Sequence, residues 1–287
     1  MRSERHLPVV TGMTPGAGPG TLYAGTSGFA YQEWKGSFYP ADLPAKKMLA
    51  HYASVLPSVE INYTFRRLPS DAVLEGWRTQ TPEGFRLTLK ASQRITHIRR
   101  LVDATSDVDE FVRRALSLGD RLGVVLFQLP PTLVYRRELL EGFLSGLPPV
   151  VRAAMEFRHE SWAAPEVAEL LEEHGVAVCA ADTEAKPLAS VQVTAPHVYL
   201  RLRKEDYAVD EIAAWGALVR TLLDEGRDVY CYFKHEGGGI GPAYAKALLE
   251  GVRGSCSPEK EGVRGSCSPE KVNAGSVVSG GGQASRS

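Results

Sequence analysis

The sequence predicts an α/β protein built as a single closed (β/α)₈ barrel, and three observations carry that expectation. First, five segments set polar residues on one parity and aliphatic residues on the other. They are Glu60, Asn62 and Thr64 in Val59–Phe65, Thr88 and Lys90 in Arg86–Ala91, and Glu156 and Arg158 in Ala153–His159. His197–Arg203 adds Tyr199, Arg201 and Arg203, and Asp228–His235 adds Tyr230, Tyr232 and Lys234. Alternation at period two marks strands with two different faces. Second, helical stretches separate these strands, so the sheet is parallel and its apolar face is covered by helices. Third, no glycine-rich dinucleotide loop follows the first strand, which disfavours an open doubly wound sheet. Closure leaves the charged faces pointing inward, where unpaired ions are costly. Charge placed there implies a catalytic or ligand-binding interior.

The elements follow in order. Leu22–Gly25 opens the barrel and leads through a long loop to a helix over Pro44–Leu56. Val59–Phe65 precedes a helix over Ser70–Thr79, with Ser70 as its N-cap and Asp71 in its first turn. Arg86–Ala91 precedes a loop containing Ile95–His97 and a helix over Asp107–Leu118. Gly123–Leu129, a nearly unbroken apolar run, stops at Pro130 and Pro131 before a helix over Tyr135–Ser145. Ala153–His159 leads to a helix that starts near Pro165 and ends at Gly175, where a C-cap glycine belongs. Val176–Asp182 is followed by a short, weakly patterned segment, the faintest unit of the eight. His197–Arg203 precedes Val209–Asp224 with Gly226 beyond its end, and Asp228–His235 precedes a helix over Pro242–Leu249.

The chain has 287 residues, 33 basic and 34 acidic, for a net charge of −1. That balance gives no overall pull toward nucleic acid or an anionic membrane, although a local basic patch remains open. No apolar run reaches spanning length, and the four residues Leu7–Val10 are too short for a signal-peptide core. The expectation is a soluble, cytoplasmic protein. Positions 1–20 carry three prolines and four glycines without an apolar period, and read as a disordered extension. Residues 21–252 form the barrel domain. Residues 253–287 read as a disordered tail, because EGVRGSCSPEK at Glu250–Lys260 is repeated unchanged at Glu261–Lys271 and a Gly/Ser-rich stretch follows. Of the four cysteines, Cys179 and Cys231 fall inside strands, on the parity expected to face the helices, as small apolar groups. Cys256 and Cys267 belong to the repeat, and neither zinc spacing nor a disulfide framework is present.

Several segments, taken together, resemble a known family. They are GTSGFAYQEWKGSFYP at Gly25–Pro40, VEINYTFRRLPS at Val59–Ser70, ITH at Ile95–His97, LFQLPP at Leu126–Pro131, EFRHESW at Glu156–Trp162 and YCYFKHEGGGIGPAYA at Tyr230–Ala245. In this order they are similar to the YecE-like family, also called domain of unknown function seventy-two. The resemblance spans about positions 22 to 251. It implies a TIM-barrel fold and no particular reaction. It departs at Lys234 and His235, where many members carry an asparagine-rich segment, so it assigns those two residues no role.

Barrel enzymes keep their chemistry at the C-terminal ends of the strands. Sorting residues by that rule gathers Tyr31 and Trp34 from the first loop, Glu60 and Asn62, Lys90 and His97, Gln128, then Glu156, Arg158, His159 and Trp162. Asp182, Arg201, Arg203, Tyr232, Lys234 and His235 complete the ring. Glu60 and Glu156 are acid/base candidates. Lys90, Arg158 and Arg201 form an anion clamp, since guanidinium binds carboxylate or phosphate bidentately, and His97 or His159 would carry protons. Lys90 is also a Schiff-base candidate if desolvated among cations. Glu156 with Arg158 equally reads as a structural ion network. Tyr31 and Trp34 either stack on a ligand or plug the loop onto the mouth of the barrel. No nicotinamide or flavin motif appears, and no cofactor is evident. A divalent metal ringed by Glu60, Asp182, His97, His159 and Glu156 stays open, opposed by the three cations aimed at the same space. The expected activity is hydrolase, lyase or isomerase chemistry on a small anionic, phosphorylated or sugar-like substrate. The alternatives are a nucleic-acid enzyme or binder and a non-catalytic ligand-binding barrel. The sequence fixes no oligomeric state.

Overall fold

Alternation and helix spacing resolve, in a computed structural model that describes residues 9–12, 18–234 and 238–254, into a closed barrel. Ten strands are present: β1 Val9–Gly12, β2 Leu22–Ser27, β3 Ser58–Ile61, β4 Arg86–Lys90, β5 Leu122–Gln128, β6 Ala153–Glu156, β7 Ala177–Asp182, β8 Ser190–Val193, β9 His197–Leu202 and β10 Asp228–Phe233. Eight of them close in the order β10-β2-β3-β4-β5-β6-β7-β9, every pair parallel. The helices are α1 Met48–Val55, α2 Tyr63–Arg66, α3 Asp71–Gln80, α4 Thr105–Ala115, α5 Arg137–Ser145, α6 Pro165–Glu173, α7 Val209–Asp224 and α8 Ile240–Gly254. The expected fold class therefore holds. The capping signals hold as well: Ser70 accepts a hydrogen bond from the Val73 amide, Pro165 opens α6, and Gly175 adopts a left-handed φ of 62° beyond the end of that helix.

Two cores divide the apolar residues. One lies between strands and helices and includes Val59, Leu87, Leu89, Phe127, Met155, Leu200, Cys231 and Phe233. The other fills the barrel interior with Val124, Leu126, Ala154, Ala177, Cys179, Tyr199, Tyr230 and Tyr232. Cys179 therefore faces the lumen, not the helices as its parity suggested. The cause is size: Ala154, Ala177 and Cys179 are small, which leaves room for the three tyrosines of β9 and β10. Interior layers of such barrels are filled by side chains from alternate strands in this way. Tyr232 Oη meets Ser58 Oγ at 2.6 Å and donates to Thr88 Oγ1 at 2.7 Å, so the plug satisfies its own hydroxyls.

Several strand ends differ from the sequence reading, and the differences position the site. β2 runs two residues further, to Ser27, which pairs with Glu60 in register. β3 stops at Ile61, and Tyr63–Arg66 winds into the short α2. Thr64 consequently leaves the strand parity and donates to the Ile61 and Lys90 carbonyls. β6 ends at Glu156 and not at His159. After β7 there is no helix; the weak sixth unit is instead completed by β8, which pairs in parallel with β1. Val9–Gly12, inside the stretch read as an extension, thus forms a strand because β8 offers a free edge. α8 continues to Gly254. The repeat-containing tail beyond it, and His235, lie outside the described residues.

A helix side chain completes the β2–β3 seam. Gly28 donates its amide to the Glu60 carbonyl at 2.8 Å. One step back, the bond from the Thr26 amide to the Ser58 carbonyl is routed through a hydroxyl. Tyr52 Oη of α1 accepts from Thr26 N at 2.8 Å and donates to Ser58 O at 3.0 Å, fully buried. Gly25 makes this insertion sterically feasible, because a Cβ there would be driven into the Ser58 carbonyl and crowd the Tyr52 hydroxyl. Tyr52→Phe should strand a buried donor and a buried acceptor. We expect a loss of about 1–3 kcal/mol in urea denaturation with the barrel otherwise intact.

Candidate functional site

The C-terminal ends of the strands open into a cleft of about 480 Å³, lined by Tyr31, Asn62, Phe65, Arg66, Lys90, Gln93, His97, Gln128, Arg158, Arg201, Arg203 and Lys234. Six of these side chains are basic and none is acidic. Two carboxylates lie beneath them, both buried. Glu60 Oε1 accepts from Ser27 Oγ (2.6 Å), Arg201 Nη2 (2.8 Å) and Asn62 Nδ2 (3.3 Å), and its Oε2 accepts from Tyr199 Oη (2.6 Å). Glu156 Oε2 accepts from Arg201 Nη1 at 2.5 Å, and its Oε1 from Arg158 Nε at 3.1 Å and Arg203 Nη1 at 3.5 Å. Arg158 also donates to Gln128 Oε1 at 3.0 Å. Arg201, only 3% exposed, is the bridge between the two carboxylates.

This arrangement changes what the carboxylates can do. Burial is the largest single influence and opposes ionisation of both, but Arg201 and the other donors together outweigh it, and both pKa values are lowered. Arg158 and Arg203 add to the effect at Glu156, and Ser27 and Tyr199 at Glu60. Every oxygen is already engaged, so the geometry makes Glu60 and Glu156 orienting groups for arginine more readily than proton carriers.

Lys90 is the contrasting case. It ends β4 with its Nζ 4.1 Å from the centroid of the Phe65 ring. Among the described residues it forms no ion pair. Burial first, then the neighbouring Arg201, lowers its pKa from 10.5 to about 8. His97 stands beside it, its ring edge-on to Phe65 at 4.9 Å and its Nδ1 2.9 Å from Thr96 Oγ1. Burial, Lys90 and Arg158 lower the His97 pKa, which keeps the imidazole neutral at neutral pH. His97 is carried on a tight turn over Arg94–Ile98, followed by left-handed backbone at Arg100, Leu101 and Asp103. Three such non-glycine residues in four positions are costly and cluster at functional segments.

The remaining sequence candidates divide. Tyr31 lines the cleft, with its hydroxyl donating to the Ser27 carbonyl. Trp34 is fully buried against Tyr31, Phe38 and Tyr39, so it plugs the loop and offers no stacking face. Trp162 stacks on Phe157 and donates to the Leu133 carbonyl, which also removes it from the cleft. His159 accepts from the Ser161 amide and caps the following turn. Tyr232 sits one layer below, within the interior plug. Asp182 has the outward parity of β7; it accepts from Leu188 N and Tyr207 Oη and pairs with Lys204 at 3.3 Å. The ring of Glu60, Asp182, His97, His159 and Glu156 considered for a metal is therefore not assembled, and among the described residues no three His, Cys, Asp or Glu side chains converge on one point. Sequence reasoning missed Phe65, Arg66 and Gln93. Phe65 was hidden because a continued strand would have turned it outward; the stop after Ile61 swings it over Lys90.

Residues 23–262 match the pattern defining the family described as protein of unknown function DUF72. The chain belongs to this family. It is similar to the UPF0759 protein YunF of Bacillus subtilis strain 168, 30% identical over 156 residues. That match covers 50% of this chain and 53% of YunF, so it spans about half the length of the curated relative. A crystal structure of a DUF72 protein from Thermotoga maritima superposes with a TM-score of 0.69 at 26% identity, covering 80% of this chain and 99% of that one. A DUF72 protein from Enterococcus faecalis gives 0.66 at 18% identity, covering 81% and 96%. No helix among the described residues is long and apolar enough to cross a membrane.

The two carboxylates also set a stability prediction. Groups with lowered folded pKa values contribute stability that is present above the unfolded value of about 4.3 and is lost as pH falls through the folded values. Glu156→Gln leaves Arg201, Arg158 and Arg203 short of a counter-charge, and breaking such a buried pair costs about 3–5 kcal/mol. Urea denaturation should show the variant well below wild type at neutral pH. The gap should narrow in acid, where wild type also protonates.

Proposed function

We propose that this barrel is a non-redox enzyme of hydrolase, lyase or isomerase type acting on a small anionic substrate, phosphorylated or sugar-acid-like, bound in the strand-end cleft. The observation that carries the reading is the imbalance of charge. Among the described residues six basic side chains line the cleft, and the two carboxylates beneath them are both already engaged by arginine. Mutual repulsion among the cations is relieved by an anion carrying more than one charge. Arg201 Nε and Arg203 Nε are buried donors without a hydrogen-bond partner among the described residues, which suits additional ligand oxygens. In this reading Arg158 and Arg203 clamp the anion, Arg201 is the preorganised floor, and Glu60 and Glu156 hold it in place. Asn62, Gln128 and Tyr31 orient the polar remainder of the substrate. Lys90 and His97, the two groups whose charge is weakened by their surroundings, handle protons.

A nucleic-acid partner is the second reading, favoured by the same arginine rim. Trp34, which sequence reasoning offered as a stacking face, is buried and weakens it. Salt separates the two, because phosphate-backbone binding falls steeply and linearly in log salt.

Calorimetry with sulfate, whose charge does not change near neutrality, should show binding at one site. Arg158→Gln and Arg203→Gln should each weaken it about tenfold, since a hydrogen bond to a charged group contributes roughly 1.5–3 kcal/mol. Wild-type proteins that fail to bind sulfate, phosphate or a phosphosugar at low salt would overturn the reading. The affinity for sulfate should also decline as pH rises through about 8, where Lys90 loses its charge. Lys90→Met should abolish that pH dependence.

A further inference from the structure

We infer that Lys90 is a covalent nucleophile whose ε-amine forms an imine with the carbonyl of a small aldehyde or ketone bearing a phosphate or carboxylate. The inference rests on the anion-binding reading of the same cleft and names the substrate's reactive group. Three requirements of imine chemistry meet at this position: an accessible amine that is not locked in an ion pair, an anchor for the rest of the substrate, and a proton carrier.

Among the described residues the amine is held without a carboxylate partner. Lys90 Nζ lies over Phe65; of the charged groups around it Arg201 acts most strongly, Glu60 and Glu156 oppose it while remaining bonded to arginine, and Arg158 adds to Arg201. A lysine used for structure would be expected to pair with one of those acids. Its backbone is fixed by Thr64, which donates to the Lys90 carbonyl at 2.7 Å. The anchor is the arginine pair Arg158 and Arg203 in the lining of the same cleft. The proton carrier is His97, which shares the Phe65 ring with Lys90 and is neutral for the same reasons of burial and adjacent positive charge.

The step balances without an external oxidant or reductant. The neutral amine adds to the carbonyl carbon, a C–N bond forms, and the carbonyl electron pair moves to oxygen. A proton passes from nitrogen to that oxygen, giving a carbinolamine. His97, carrying the proton it took from the Lys90 ammonium to free the amine, then delivers that proton to the hydroxyl; the C–O bond breaks, water leaves, and the nitrogen lone pair forms the protonated imine. In sum, an ammonium and a carbonyl give an iminium and one water. Its positive charge withdraws electrons from the adjacent carbon, which is the activation that carbon–carbon cleavage or isomerisation needs. Hydrolysis by the reverse path frees the lysine.

The test is reductive trapping on the full chain. The protein is incubated with glyoxylate or glycolaldehyde phosphate and sodium cyanoborohydride, and peptides are mapped by mass spectrometry. Uncharged glycolaldehyde is run in parallel. The expected result is a reduced adduct on Lys90 in excess of every exposed lysine, at least an order of magnitude faster with the anionic aldehydes than with glycolaldehyde, and suppressed by sulfate. Lys90→Arg should keep sulfate affinity and lose the adduct; Lys90→Met, checked for folding by circular dichroism, should lose it too. Adducts scattered over surface lysines to the same extent in wild type and Lys90→Arg would overturn the inference. Two outcomes separate it from the reading it rests on. Sulfate bound with no adduct on Lys90 rejects the imine and keeps the anion cleft. Lys90 modified equally by charged and uncharged aldehydes, with no sulfate bound, rejects the anion cleft and keeps the nucleophile.

Discussion

The interior depends on one guanidinium. Arg201 rises from β9 into a space where a lone charge would be prohibitive, and two carboxylates from opposite sides of the barrel, Glu60 on β3 and Glu156 on β6, make it tolerable. The three form a bridge across the lumen between the tyrosine plug below and the open cleft above. Tyr199 and Ser27 complete Glu60, and Arg158 and Arg203 complete Glu156, so the network is satisfied from both sides. The consequence for the cleft is asymmetric. The acids are consumed in holding arginines, and the positive charge that remains faces outward, toward whatever enters.

Much of this was legible in the sequence, for reasons that can be named. The parity of Glu60, Glu156 and Arg201 placed all three in the interior because a closed parallel barrel has only one place for a polar face. Helix signals such as Ser70, Pro165 and Gly175 act locally and needed no tertiary context. What failed depended on where strands end. The strand-end rule, applied to a strand read as running to His159, kept that histidine in the ring, whereas the chain has already turned after Glu156 and the histidine caps the next turn. Parity extrapolated past Ile61 hid Phe65, the ring against which both Lys90 and His97 rest. Asp182 and Cys179 were misplaced by a one-residue difference in phase, which in a strand sends a side chain to the opposite face.

Roles were harder to read than positions. Two glutamates and two histidines among basic residues look like acid/base machinery on paper. Only distances separate a carboxylate held by three or four donors from one free to take a proton, and only burial separates Lys90 from a solvated lysine. The pairing of weakly charged Lys90 with neutral His97 arises from repulsion among neighbours that are remote in sequence, and no local motif announces it.

The Tyr52 hydroxyl set into the β2–β3 seam has a consequence for motion. Where a side chain enters the β4–β5 seam it belongs to a strand, Thr88 Oγ1 accepting from the Val124 amide, so opening that seam means separating the strands themselves. Here one rung of the joint between the first two barrel strands is carried by a side chain of the helix that packs outside them, so undocking α1 loosens backbone that carries Ser27 and Glu60. Deuterium uptake at the Thr26 amide therefore reports the seating of α1, and any partner or temperature change that loosens that helix is transmitted to the floor of the cleft without a single residue of the cleft being touched.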